Sequence, residues 1–282
     1  MDRRALVSAL LCGACSTAPS GVPNATRPLA EIPIEIRHRL PTVDVVVSGQ
    51  VFRLFLDLGG NRAISLTPSE IARATVRLSD RADQFRNSHG QVLSSRRFVA
   101  EEVYLGSFLL GDLEGGESIF GDSVPPDRNG YIGMPVLGRY LFVVDYPNKR
   151  VRLYESGNVE ALTAECGRET FPIRLNNGIA VSTGSTEYGD RLFLWDTGST
   201  DNVIRPSALP PEKAVGLRID DGPPVATLKK LRLSNRDVGE QRFRVIAFGA
   251  PDVDAVLGAD LFAALRVCLD IPRGVAAINE AS

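Results

Sequence analysis

Histidine is almost missing from this chain of 282 residues: His38 and His89 are the only two. A histidine-rich metal site or a hydroxyl–histidine charge system needs several imidazoles, so neither is well supplied, and no metal or other cofactor is expected. Lysine is scarce too, since Lys149, Lys213, Lys229 and Lys230 are the only lysines among 32 basic residues, and the arginine bias fits a GC-rich bacterial genome. With 34 acidic residues the formal charge is −2, which leaves no clearly basic face of the kind a polynucleotide requires, so no nucleic-acid partner is expected. No run after Leu11 reaches the ~18 continuous apolar residues of a spanning helix, and any membrane contact would have to come through lipid. Cysteine is limited to Cys12, Cys15, Cys166 and Cys268.

The first residues read as an export signal over 1–15: Arg3-Arg4, the apolar run Ala5–Leu11, then small residues around Cys12 and Cys15. Arg3-Arg4-Ala5-Leu6-Val7 also has a twin-arginine character, which leaves the export route open. Leu11-Cys12-Gly13-Ala14-Cys15-Ser16 resembles a bacterial lipobox, and that resemblance implies lipid attachment at Cys15 with cleavage on its N-terminal side. The expected location is the cell envelope, as a membrane-anchored lipoprotein facing the periplasm. Residues 16–30, rich in Ser, Thr, Pro and Gly through Pro28, read as a flexible tether. Once Cys12 is cleaved away and Cys15 acylated, Cys166 and Cys268 remain. An oxidising compartment permits a bridge between them, and two buried free thiols are the other reading.

At this length, with 44% apolar residues, lobes of about 100–150 residues are the natural unit. An internal repeat supports two of them. Gly133-Met134-Pro135-Val136-Leu137 and Gly258-Ala259-Asp260-Leu261-Phe262 each open a segment that reaches Asp-x-Pro twelve positions on, at Asp145 and Asp270. Upstream, Phe52–Gly60 answers to Arg191–Ser199, and both stretches run on through an apolar pair to a proline, Pro68 or Pro206. The expected lobes are 31–157 and 168–282, with Ser156–Arg168 between them and Asp220–Pro224 as a break inside the second.

The texture of both halves is β. Val43–Val47, Val51–Leu56, Val99–Leu105, Leu141–Asp145 and Val151–Tyr154 are short runs rich in β-branched and aromatic residues, set off by Gly, Pro, Asn and Asp. Arg191–Trp195, Leu228–Leu233, Phe243–Phe248 and Val267–Ile271 repeat the pattern. Only Pro68–Ala74, Pro135–Tyr140 and Ala259–Leu265 read as helices. The fold class is mainly β, with two duplicated barrel or sandwich lobes and a cleft between them. Glu114-Gly115-Gly116-Glu117 reads as a solvated loop, and Asp145 and Asp270 as residues that fix hairpin turns. Phe193 and Trp195 read as core.

Asp196-Thr197-Gly198-Ser199 directly follows an apolar strand, and Val256-Leu257-Gly258 lies downstream; Tyr131-Ile132-Gly133 supplies the same feature to the first copy. These motifs, with the duplication, resemble the bilobal aspartic proteases of the pepsin and retropepsin kind over roughly Val43–Glu155 and Phe171–Ile278. The resemblance implies a catalytic pair, Asp57 and Asp196, that shares one proton and activates a water. It implies that Gly59 and Gly198 allow close backbone approach, that Ser199 gives a hydroxyl to the Asp196 carboxylate, and that Thr197 bonds across the lobe interface. His89-Gly90-Gln91 falls where the family has a substrate-covering flap, and a plain hairpin turn is the alternative. The first copy departs from the pattern, with Leu58 in place of Thr and Gly60 in place of Ser or Ala. Two functions follow: an aspartic endopeptidase acting on a peptide or protein, or a catalytically impaired module that binds a peptide or partner. Because one chain holds both halves, a monomer is the expected working unit.

Overall fold

In the computed structural model, residues 26–86, 92–118, 129–214, 222–249 and 252–280 are described. The export signal, Cys15 and the candidate flap residues His89, Gly90 and Gln91 lie outside them.

Local patterning sets the first hairpin. In the strand Leu40–Val47 the side chains of Val43, Val45 and Val47 are buried while Asp44 between them is exposed, as a two-residue period requires. Ser48 and Gly49 both take positive φ, 46° and 80°, which gives the tight turn that folds Gln50–Asp57 back against it with Val47 opposite Gln50. This hairpin delivers Asp57 to the end of its strand.

Six strands close into a barrel in the first half, in the order Leu40–Val47, Gln50–Asp57, Gly130–Gly133, Ile64–Leu66, Phe108–Glu117 and Val92–Leu105. The pairing of Val45 with Leu105 seals it. The second half repeats the order with Ile179–Thr186, Gly189–Trp195, Ala255–Leu257, Val203–Ile204, Arg236–Val245 and Val225–Leu233, sealed by Ser185 against Arg232. The duplication read from the Gly-to-Asp-x-Pro register is therefore a duplication of strand order.

A third sheet joins the halves. Its order is Ala30–Pro33, Arg150–Tyr154, Leu141–Asp145, Leu265–Asp270, Val275–Glu280 and Phe171–Pro172, so its two central strands come one from each copy, with Leu141 opposite Asp270 and Asp145 opposite Arg266. Asp145 fixes its own hairpin as expected, accepting from the backbone and side-chain nitrogens of Asn148, and it also takes Arg266 Nε of the other copy at 2.9 Å. Asp270 does something else: its carboxylate accepts from Ser156 Oγ and Gly157 N and so pins the segment between the lobes. That segment, read as a linker, contains the helix Val159–Cys166, capped by Asn158 and bridged through Cys166 to Cys268 on a central strand.

A further expectation needs correcting. Glu114–Glu117 is part of the barrel strand Phe108–Glu117 and not a solvated loop. The ring of Phe98 occupies the space above Gly115 and the Arg62 guanidinium the space above Gly116, so both glycines are buried because neighbours need the volume a Cβ would fill. The helices are shorter than expected, at Pro68–Arg73, Met134–Leu137 and Ala259–Phe262. No helix among the described residues is long and apolar enough to cross a membrane.

Candidate active site

Each copy presents an aspartate at a turn with the same backbone bonds. Gly60 N donates to Asp57 O at 3.1 Å, and Ser199 N to Asp196 O at 3.3 Å. The carbonyls of Gly60 and Ser199 then accept from Met134 N and Ala259 N, both at 2.9 Å, which ties each turn to the start of a short helix. Gly133 and Gly258 lie so close under these turns that a Cβ on Gly133 would strike the Arg62 carbonyl, and one on Gly258 the Asp201 carbonyl. The apolar-apolar-glycine motif is thus a packing requirement of the aspartate turn in both halves.

The two turns meet face to face. A Cβ added to Gly59 would lie 2.6 Å from Asp196 Cγ, and one added to Gly198 would lie 2.6 Å from Asp57 Cγ. Each carboxylate therefore rests over the glycine of the opposite turn, and Asp57 and Asp196 are brought to one place. Both are partly accessible. The Asp196 carboxylate also accepts from Gly198 N at 2.7 Å.

Thr197 is fully buried and locks the turns together, its Oγ1 donating to Leu56 O at 2.7 Å and accepting from Leu58 N at 3.0 Å. The absence of a threonine opposite leaves this hydroxyl satisfied, because it needs the backbone on either side of Asp57 and not the side chain of residue 58. Leu58, 1% exposed, points into the hydrophobic core. Ser199 departs from expectation: its Oγ donates to Asp201 O at 2.7 Å, closing its own turn, and not to the Asp196 carboxylate.

Tyr131 is the residue that sequence reasoning passed over. A Cβ on Gly60 would lie 2.5 Å from Tyr131 Cε2 and 3.2 Å from Asp57 Cγ, so the ring fills the place that a serine or alanine would occupy and borders the carboxylate. Burial, and then the negative charge of Asp57, push its phenol up to about 12. The second copy has Ser199 and Val256 where the first has Gly60 and Tyr131, an exchange of volume between two chain-distant positions that could be read only by aligning both motifs at once.

On the first-lobe side of Asp57 lies a groove of about 1180 Å³ whose lining includes Arg62, Asp83, Arg97, Glu117 and Tyr131. Some of its charges are paired, Arg62 with Asp83 at 3.0 Å and Arg97 with Asp83 at 2.6 Å. On the other side, Arg39 reaches from the first lobe to Asp201 and Asp260 of the second, a further bond between the lobes beside the Asp196 turn.

No family model matches the chain, and no curated protein matches it. Solved structures do. An aspartic proteinase from Irpex lacteus superposes with a TM-score of 0.61 at 13% identity, covering 90% of this chain and 97% of that one. A Basic 7S globulin from soybean superposes with a TM-score of 0.58 at 11% identity, covering 89% and 95%. The chain has the bilobal fold of the pepsin-like aspartic proteinases.

Proposed function

We propose that this chain is an aspartic endopeptidase that hydrolyses a peptide or protein held extended in the cleft, using a water activated between Asp57 and Asp196. The observation that carries the reading is the crossed placement of the two carboxylates, each over the glycine of the opposite turn. Carboxylates so close cannot both ionise at low cost, so the pair keeps one proton. The ionised member takes a proton from the attacking water while the protonated member gives its proton to the scissile carbonyl oxygen. The resulting tetrahedral diol breaks its C–N bond as the amine leaves with a proton, and the pair returns to its starting state. Asp196 suits the ionised role, since the Gly198 N–H points at its carboxylate, and Asp57 beside the Tyr131 ring suits the protonated one.

Leu58 and the Tyr131 ring over Gly60 favour a second reading, in which the pair is catalytically impaired and the cleft binds a peptide or partner without cutting it. The fold is compatible with both, for one of the two solved structures described above is named as a proteinase and the other is named as a globulin. A peptide-library digestion from roughly pH 3 to 7.5, comparing the wild type with Asp196→Asn, decides it: cleavage that disappears in the variant supports the endopeptidase, and cleavage absent from both leaves the binding module.

The signal-like start supports export, with a lipid on Cys15 holding a monomer at the bacterial cell envelope. Expressed in a bacterium, the full chain then partitions into detergent, and Cys15→Ser releases it or leaves the precursor uncleaved. An acyl-free, wholly soluble wild type would refute the anchor.

A further inference from the structure

Tyr146 is buried in the core, and its hydroxyl has no protein hydrogen-bond partner among the described residues. A buried polar group in that state destabilises the fold unless something answers it. The residue follows Asp145 at the end of a central strand, where the second copy has Ile271 after Asp270, so the hydroxyl is an addition that the duplicated framework does not need. Its ring stacks on Phe262 at 5.6 Å, and Phe262 meets Trp195 edge-on at 6.0 Å; Trp195 immediately precedes Asp196. Two ring contacts therefore link Tyr146 to the residue that precedes Asp196, from within the core.

The charges acting on it come from those turns. Burial first, then Asp196, then Asp57, hold its phenol well above the ordinary range, so it is a neutral donor at any working pH. The adjacent Asp145 carboxylate is occupied by Asn148, Arg266 and Arg150.

We propose that the Tyr146 hydroxyl donates, through one buried water, to the Asp57–Asp196 pair from its core side and thereby stabilises the ionised form of that pair. Tyr146 is on this account a positioning residue, because it reaches the reacting groups only through the water. The inference rests on the reading that the pair is the functional centre, and it has a test that needs no turnover. Tyr146→Phe keeps the ring stack and removes only the hydroxyl. Following the carboxyl carbons by NMR titration, with Asp196→Asn to assign them, the lower titration step of the pair should rise by about one pH unit in Tyr146→Phe, the scale of a lost hydrogen bond to a charged group. A purely structural phenol would leave that titration where it was, and an unmoved step would overturn the proposal. A high-resolution crystal structure of the wild type gives a second readout: an ordered water within hydrogen-bond reach of Tyr146 Oη and one carboxylate supports it, and none there rejects it. A shifted titration in a protein that cuts nothing would keep this inference while removing the endopeptidase reading.

Discussion

Around Asp57 the turn carries Leu58 and Gly60 beside the ring of Tyr131, whereas around Asp196 the same backbone carries Thr197 and Ser199 with Val256 in the tyrosine's place. Two backbone hydrogen bonds recur in both turns, from Gly60 or Ser199 N to the aspartate carbonyl and from Met134 or Ala259 N to the Gly60 or Ser199 carbonyl, so what both halves retain is the geometry that presents a carboxylate. The side chains differ in compensating sets. A large ring stands over a glycine in one half, and valine and serine hold the two matching positions in the other. A leucine fills core in one half, and in the other a threonine supplies both of the cross-lobe hydrogen bonds just described. The first copy has thus exchanged polar contacts for packing while its aspartate stays over Gly198.

The largest effect expected from disturbing this arrangement is at the carboxylates. Asp196→Asn should lower peptide cleavage by about 10²–10⁴-fold, the usual contribution of a positioned acid or base, with Asp57→Asn similar despite the altered turn. Equal losses would show that both turns work, and a small loss at Asp57 would mark the first copy as a bystander.

Gly59→Ala and Gly198→Ala come next. Each adds a methyl 2.6 Å from the opposite aspartate's Cγ, so either should cost about 10²-fold in kcat/KM through displacement of the reacting groups.

Gly60→Ser brings the first turn toward the second and collides with Tyr131, which should cost about 1–3 kcal/mol of stability. Adding Tyr131→Val, after the Val256 of the other half, should recover part of it, giving a coupling of about 0.5–3 kcal/mol in a denaturation cycle. Simple additivity would show that the two positions do not compensate each other.

Thr197→Val should cost about 1–3 kcal/mol, since Leu56 O and Leu58 N lose their buried partner. Leu58→Thr should cost about 1–2 kcal/mol, because it gives up part of the core packing of a residue only 1% exposed.

The smallest effect is one of pH. Burial works to raise the Asp145 carboxyl, but hydrogen bonds from Asn148 and Arg266 outweigh it and hold the group below its usual range. A depressed folded-state pKa gives stability that is present above the unfolded value of about 3.9 and is lost as pH falls through the lower folded value. Asp145→Asn should therefore flatten the acid side of the stability curve below about pH 4 and leave its shape near neutrality unchanged. In the other copy the Asp270 carboxylate accepts from Ser156 Oγ and Gly157 N, and Asp270→Asn gives the matching comparison.

Much of the fold was legible because its signals are local. Strand runs such as Leu141–Asp145 coincide with the observed strand, and the equal Gly-to-Asp spacing anticipated equal strand order. The strand Phe108–Glu117 was partly misread because its glycines and acids look like a loop until Phe98 and Arg62 are seen to occupy the space above them. Motif and repeat single out Asp57, Asp196 and Thr197, and the structure brings all three to the place where the two turns meet. Ser199 was given the wrong acceptor, since nothing in a tetrapeptide says whether a hydroxyl turns to its own aspartate or to the carbonyl of Asp201.

By itself the sequence determined two β lobes, an aspartate at the end of one strand in each, and glycines where those turns are crowded. Each of these depends on residues a few positions apart, whose periodicity and conformational limits act along the chain. Tertiary structure alone decided that Thr197 bonds to Leu56 and Leu58, 141 and 139 positions away, and that Cys166 bridges to Cys268 across 102. It also decided that Tyr131 covers Gly60 and that the Tyr146 ring stacks on Phe262, which meets Trp195. Those contacts exist only once two barrels and the sheet between them bring distant segments within a few ångströms, and no local preference of either partner encodes the distance to the other.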